Sequence, residues 1–220
     1  MRKNGDAYKV FYFLLTQNMY SMKKIMMIAA LMVATLSANA QEMFIKPMVG
    51  GTLATLTGDT EGAKMKLGLV GGAEFGYNIN EMFAVTAGAL VSMQGAKFDD
   101  NAYEKDVTTT LTYLNVPVLA NVYVAPGLAI KAGVQPGFLL SRKTKAEELS
   151  SAGTWVSREH TSTDGMKKVD FSIPIGISYE ISDFVIDARY NLGLTNINDT
   201  DKYKSKNGVI MLTVGYKIPF

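Results

Sequence analysis

Hydrophobic and polar residues alternate along most of the chain with a period of two, which is typical of β-strands whose two faces meet different surroundings. The clearest segment is 184–195, where Phe184 and Ile186 share one face and Asp187 and Arg189 share the other. In one of the other segments, 44–56, glycines and threonines leave the assignment of faces ambiguous. The sequence therefore predicts eight strands, and the seven besides 184–195 are 44–56, 67–77, 82–95, 111–124, 128–140, 169–180 and 210–220.

The connections between these strands alternate in length. Short turns are predicted at 78–81, 125–127 and 181–183, and longer polar loops at 57–65, 96–108, 141–167 and 196–207. Because successive strands run in opposite directions, every long loop leaves the sheet at one end. This pattern predicts an all-β fold, an eight-stranded antiparallel up-and-down transmembrane β-barrel with short periplasmic turns and longer extracellular loops. Closure of the barrel pairs every backbone N–H and C=O group within the protein, as a lipid environment requires.

Two water-soluble folds compete with this interpretation. A lipocalin-like barrel would have an apolar interior and a polar exterior, and a β-sandwich would have polar outer faces. The alternation alone does not say which face is outside, so the charged residues decide. The uninterrupted apolar face suits lipid, whereas the other face, rich in glycine, suits a narrow lumen and carries the charges Glu74, Lys131, Asp170, Glu180, Asp187, Arg189 and Lys217.

The N-terminal region predicts export. Residues 22–40 combine two lysines, an apolar run of about twelve residues and an Ala-x-Ala site, which are the parts of a cleaved secretory signal peptide. We expect cleavage between Ala40 and Gln41, so that 41–220 forms the mature barrel domain. Residues 1–21 precede a well-formed signal and are interpreted as an upstream mis-start or an extension.

Charge and composition change with this division. The whole chain has a formal net charge of +2, but residues 1–40 hold five basic residues and one acidic residue. Residues 41–220 therefore hold 17 basic and 19 acidic residues and carry a net charge of −2. This charge and the lack of a basic tract give no reason to expect nucleic acid as a partner. The absence of cysteine excludes disulfides, thiolate metal sites, cysteine catalysis and acylation of an N-terminal cysteine, and no cofactor is predicted.

Several segments resemble a known family. The residues at 114–119, 132–140, 187–197 and 206–209 are similar to those of the PorT-type outer-membrane β-barrel proteins of Bacteroidota. The resemblance implies an eight-stranded barrel in the outer membrane and no enzymatic activity. The last strand also resembles the signal that the barrel-assembly machinery recognises in such proteins, with the motif positions occupied by Thr213, Gly215, Ile218 and Phe220.

The charges on the polar face are the main candidates for chemistry. Asp187 and Arg189 lie two residues apart on one strand face, and Asp170 and Lys217 on the flanking strands could join them. Buried ionisable groups often mark a proton or ligand site. We favour an ion-paired plug, since an eight-stranded lumen is too narrow for an aqueous channel and charges removed from water require partners. The complete predicted lumen network is Glu74, Lys131, Asp170, Asp187, Arg189 and Lys217.

The sequence therefore predicts a non-enzymatic integral outer-membrane scaffold whose partners are outer-membrane lipid and the barrel-assembly machinery. Trp155, the only tryptophan, lies among charged residues of the longest loop and is a candidate surface contact. The alternative is an accessory factor in a secretion or envelope complex, by analogy with the family. A membrane-embedded lipid-modifying enzyme is the third hypothesis, which a single histidine and the lack of a nucleophile constellation disfavour.

Overall fold

The computed structural model describes residues 43–60, 62–99, 104–150, 154–200 and 202–220. The predicted segments 1–21 and 22–40 and the cleavage site at Ala40 and Gln41 lie outside the described residues. No helix in the described part of the chain is long and apolar enough to cross a membrane. The strands are β1 (Met43–Gly58), β2 (Ala63–Lys64), β3 (Lys66–Asn78), β4 (Phe83–Phe98), β5 (Glu104–Asn115), β6 (Val118–Ala125), β7 (Leu128–Leu149), β8 (Trp155–Thr161), β9 (Val169–Ile181), β10 (Phe184–Gly193), β11 (Ser205–Tyr216) and β12 (Ile218–Pro219).

The strands form one closed antiparallel sheet. β1, β3, β4, β5, β7, β9, β10 and β11 pair in that order, and β11 pairs with β1 to complete the ring. Three short strands continue members of this ring: β2 precedes β3, β6 follows β5 after Val116 and Pro117, and β12 follows β11 after Lys217. Pro117 has no N–H to donate to the ladder, which accounts for the interruption between β5 and β6. The prediction of an eight-stranded antiparallel barrel is confirmed.

The two faces of each strand meet opposite surroundings, as β10 illustrates. Phe184 is 56% exposed on the outer face, whereas Asp187 and Arg189 are 1% and 3% exposed on the lumen face. In β1, where the sequence left the faces ambiguous, Lys46 is buried inside and Val49 is exposed outside. The apolar face is therefore the exterior of the barrel, as the placement of charges predicted.

The loop predicted at 141–167 is in large part a β-hairpin, and this expectation was wrong. β7 extends to Leu149 and pairs with β8 from Leu149 opposite Trp155 to Lys143 opposite Thr161. The period-two pattern disappears there because both faces of the hairpin are exposed to water, so both accept polar residues. The predicted loops 57–65 and 96–108 are also shortened, since β1 and β4 extend into them and β2 and β5 begin within them.

Candidate functional site in the barrel lumen

Five charged side chains meet in the lumen, in the half of the barrel nearer the short turns. We call Lys46, Glu74, Lys131, Asp187 and Arg189 the lumen ion cluster. Lys46 Nζ lies 2.8 Å from Glu74 Oε2, and Arg189 Nη1 lies 2.8 Å from Glu74 Oε1. Arg189 also donates through Nε and Nη2 to the two oxygens of Asp187, each at 2.8 Å. Lys131 Nζ donates to Asp187 Oδ2 at 2.6 Å.

These contacts join four strands across the lumen. Lys46 is on β1, Glu74 on β3, Lys131 on β7, and Asp187 and Arg189 are on β10. All five residues are at most 5% exposed. Charge-assisted contacts of this kind are the strong ones, and buried charges are tolerated only when they are paired in this way. The cluster therefore occupies the lumen cross-section with paired charges, three positive and two negative.

Glycines on neighbouring strands make room for the long ionic side chains. A Cβ atom added at Gly88 would lie 2.7 Å from Glu74 Cγ, and one at Gly215 would lie 2.9 Å from Lys46 Cγ. Gly176 pairs directly with Arg189, and its added Cβ would lie 2.6 Å from Arg189 Cβ. The glycines of the polar face are thus part of the ion cluster's packing.

The structure brings together four of the six predicted lumen charges, Glu74, Lys131, Asp187 and Arg189. It does not bring in Asp170 or Lys217. Lys131 pairs with Gly176 across the β7–β9 ladder, six residues along β9 from Asp170, and six residues of strand span about 20 Å. Sharing a face therefore does not mean sharing a height in the barrel, and only the register determines height.

Lys46 is the member of the cluster that sequence reasoning missed. Its strand lies in the segment with ambiguous faces, because Gly50 and Gly51 blur the alternation. A signal was present, since Lys46 and Thr52 are separated by an even number of positions and both are polar. Continuing that parity would have placed Lys46 on the lumen face beside Met48, where the structure buries it.

Asp170 lies further toward the long loops, in a layer of uncharged polar side chains. Its Oδ2 accepts a hydrogen bond of 2.8 Å from Asn207 Nδ2. Beyond this layer an apolar cluster of Leu111, Tyr113, Met166 and Ile197 fills the long-loop end of the lumen. Apolar filling of the lumen is a feature that the sequence analysis did not predict.

Lys217 instead lies at the short-turn end. Its Nζ is 3.0 Å from Glu180 Oε2 and 4.5 Å from the centre of the Phe44 ring. Tyr123 donates its hydroxyl to Glu180 Oε1 at 2.6 Å. These half-buried groups form a second, smaller polar set at the mouth of the barrel.

Trp155 lies on the β7–β8 hairpin, where 38% of its surface is exposed. Lys105 Nζ lies 4.3 Å from the centre of its ring, in a cation–π contact. Near the base of the same hairpin, hydrogen bonds from Lys143 and Lys145 hold the pKa of Glu159 below its usual value. The hairpin is thus an ordered surface of exposed charges and one aromatic side chain.

The residues of the predicted assembly signal lie in the last two strands. Thr213 and Gly215 face the lumen, and Ile218 and Phe220 are exposed on the outer face. The ring of Phe220 lies 5.9 Å from that of Phe75 on β3. The motif therefore follows the same division between lumen and exterior as the other strands.

Known proteins provide an independent comparison. The family described as outer membrane protein beta-barrel domain matches residues 39–199, which include β1 to β10. Among solved structures, the chain is similar to Ail, the attachment invasion locus protein of Yersinia pestis, at 18% identity over 80% of this chain and 99% of that one, with a TM-score of 0.48. It is also similar to neisserial surface protein A, at 14% identity over 81% and 97%, with a TM-score of 0.44. OprG of Pseudomonas aeruginosa has 15% identity over 81% and 97%, with a TM-score of 0.38. No curated protein matches the sequence.

Proposed function

The chain belongs to the outer membrane protein β-barrel domain family, and on that premise we propose that this integral outer-membrane protein is a non-enzymatic scaffold with a plugged lumen. The observation that carries the proposal is the lumen ion cluster. Its carboxylates and cations are engaged with one another across four strands, which leaves none of them free to act on a substrate. An eight-stranded barrel is only wide enough for its side chains, and this cluster occupies that space.

Electrical recording tests the plug. We expect the refolded full-length protein in planar bilayers to give no steady conductance steps, because paired charges and packed side chains leave no continuous water path. Reproducible steps of high conductance from the wild-type protein would contradict the proposal.

The energetic role of the plug has its own test. Arg189→Ala removes the guanidinium that bridges Glu74 and Asp187, and it should lower the free energy of unfolding by about 3 kcal/mol. Arg158→Ala removes the exposed pair with Glu148 on the hairpin and should cost less than about 1 kcal/mol. Urea titration of both variants in lipid vesicles measures the difference, and equal stabilities would argue against the ion cluster as a structural element.

We further propose that the extracellular β7–β8 hairpin is the contact surface of the scaffold. Trp155 supports this, because an exposed aromatic side chain among charges is the kind of residue on which interfaces depend. Trp155→Ala should weaken binding of a surface partner, whereas Val156→Ala on the opposite face of β8 serves as the matched control. Unchanged binding of every identified partner to the Trp155 variant would remove this proposal.

A role in a secretion or envelope complex is a second proposal. The similarity of 187–197 to the PorT-type proteins of Bacteroidota supports it, and the terminal strands β11 and β12 are the proposed recognition segment for the barrel-assembly machinery. Mild solubilisation of native membranes followed by affinity purification should recover a defined periplasmic or outer-membrane partner. Recovery of the barrel alone after chemical cross-linking would favour the scaffold acting without such a complex.

A further inference from the structure

A small polar cavity lies in the lumen between the ion cluster and the apolar cluster at the extracellular end. Asn191 follows Arg189 on the lumen face of β10, and Asn115 follows Tyr113 on that of β5, so the cavity is next to both clusters. It offers about 10 Å³ to the centre of a water-sized sphere, which is room for one ion or one water molecule. Its lining consists of Gln94, Asn115, Gln135, Gly137, Asp170, Ser172, Asn191, Asn207 and Val209.

Four oxygen atoms of the residues that line this cavity are buried without a hydrogen-bond partner. They are Asp170 Oδ1, Gln135 Oε1, Asn191 Oδ1 and Asn207 Oδ1, and one donor of the lining, Asn191 Nδ2, is also without a partner. The four residues are at most 6% exposed, so bulk water does not satisfy these atoms. Leaving a buried polar atom unpaired costs about 1–3 kcal/mol, and four such atoms around one cavity suggest a shared partner.

Asp170 also brings the only carboxyl group of the lining to the cavity. Asn207 Nδ2 is its hydrogen-bond donor, and the Phe171 amide and Thr195 hydroxyl lie near its carboxylate. Among the described residues, no lysine or arginine side chain forms an ion pair with Asp170. The cations of the lumen ion cluster contact Glu74 and Asp187 instead. A buried carboxylate is stable in its charged form only with a compensating partner.

The chemistry of this lining selects among the candidate occupants. A water molecule donates two hydrogens, fewer than the four free acceptors, and it adds no positive charge. Calcium sites usually contain several carboxylates, whereas this lining contains one. One carboxylate with three amide oxygens is the hard, weakly charged donor set that a small monovalent cation accepts. We propose that this cavity binds a single monovalent cation of the size of sodium, with Asp170 as its charged ligand.

Thermal unfolding tests this proposal on the full-length protein refolded in detergent. Sodium chloride is varied against N-methylglucamine chloride at constant ionic strength, so that only the small cation changes. The unfolding midpoint of the wild-type protein should rise with the logarithm of the sodium concentration above the dissociation constant, by about 4 °C at ten times that constant. Asp170→Asn, which removes the charge with little change of shape, should abolish the rise.

Asp199→Asn is the matched control, because Asp199 is an exposed carboxylate that does not line the cavity. It should respond to sodium as the wild-type protein does. A wild-type midpoint that does not depend on sodium, or an Asp170→Asn midpoint that rises equally, would overturn the proposal and indicate water in the cavity.

A second measurement needs no variant and remains decisive if Asp170→Asn does not fold. Wild-type protein is refolded and crystallised in sodium chloride, so that the ion is present while the lumen closes, and its electron density is refined at atomic resolution. We expect a density peak between Asp170, Gln135 and Asn191 whose oxygen contacts are shorter than about 2.5 Å, closer than a hydrogen-bonded water comes. A peak at hydrogen-bond distances, or no peak, in well-ordered crystals would overturn the cation site and leave the plug proposal untouched, since the ion cluster is a separate set of residues.

Discussion

At the residue scale, long ionic side chains in the lumen pack over glycines on the neighbouring strands. Arg189 opposite Gly176 and Glu74 opposite Gly88 are direct cross-strand pairs. Charged side chains turned into a narrow barrel need volume that a neighbouring side chain would otherwise occupy. The polar face is therefore rich in glycine because it also carries long charged side chains. Without the glycines these side chains would not fit in the lumen, and without the long side chains the glycines would leave space unfilled.

Gly176→Ala tests this matching. The new methyl group would lie 2.4 Å from Ala188 O and 2.6 Å from Arg189 Cβ, so β9 and β10 would have to separate. We expect the free energy of unfolding to fall by about 1–3 kcal/mol in urea titrations, as for other overpacked sites.

Gly71→Ala on β3 is the control for that substitution. Its added Cβ would meet no atom closer than Met48 O at 3.8 Å, so the change in unfolding free energy should stay within about 0.5 kcal/mol. Equal effects of the two substitutions would argue against the close contact with Arg189 as the reason for glycine at position 176.

At the element scale, the β7–β8 hairpin extends beyond the ring, and its β7 strand also pairs with β5, from Thr110 opposite Lys143 to Glu104 opposite Glu148. β8 pairs only with β7 among the described strands, and all seven of its residues are exposed. Its charged contacts, such as Arg158 with Glu148 at 2.8 Å, are open to solvent and contribute little individually. β8 is therefore a surface strand, and the stability of the ring should depend little on it.

Shortening the hairpin provides the test. Residues 143–161 are replaced by Asn-Gly, a dipeptide suited to a tight hairpin turn between Arg142 and Ser162. Ser162 N already donates to Arg142 O at 3.2 Å, so the ends are close enough to join. We expect the shortened chain to keep its heat-dependent gel mobility and to lose about 1–3 kcal/mol of unfolding free energy, because the deletion also removes the pairing of β7 with the start of β5. Failure of this variant to refold would show that the hairpin guides assembly of β7 and β9.

At the scale of the whole molecule, closure of the ring between β1 and β11 decides the fold. The first and last long strands pair over eleven positions, from Met48 opposite Gly215 to Gly58 opposite Ser205. Closure removes the unpaired edges that an open sheet would present to lipid. It also fixes the lumen, because Lys46 Nζ on β1 comes within 4.0 Å of Asp187 Oδ2 on β10 only when the ring is complete.

Engineered disulfides test closure, and the chain contains no cysteine of its own. Leu53 and Ile210 are direct partners across β1 and β11, on the outer face. Leu53→Cys combined with Ile210→Cys should oxidise to a disulfide that changes mobility on non-reducing gels, since directly opposed residues have suitable Cα separations.

Leu53→Cys combined with Leu192→Cys is the matched control. Leu192 is on β10, two strands from β1, where a separation of about 9.6 Å exceeds the reach of a disulfide. A disulfide in the control, or none in the β1–β11 pair, would contradict the strand order of the ring.

The alternation in the sequence predicted eight strands, the two faces of every strand except 44–56, and the end from which the long loops leave. These properties are local, because lipid on one side and a crowded lumen on the other impose a period of two that is visible in segments such as 184–195. The β7–β8 hairpin was not predicted, because a strand with water on both faces shows no alternation of polar and apolar residues.

The contacts between lumen residues are visible only in the tertiary structure. Periodicity assigns Asp170 and Asp187 to the same face, but the cross-strand registers place them at different heights, so that one joins the lumen ion cluster and the other lines the polar cavity. Lys46 was likewise brought to Glu74 by the pairing of β1 with β3. Register depends on hydrogen-bonding partners distant in the chain and on closure of the whole ring, and no local pattern carries that information.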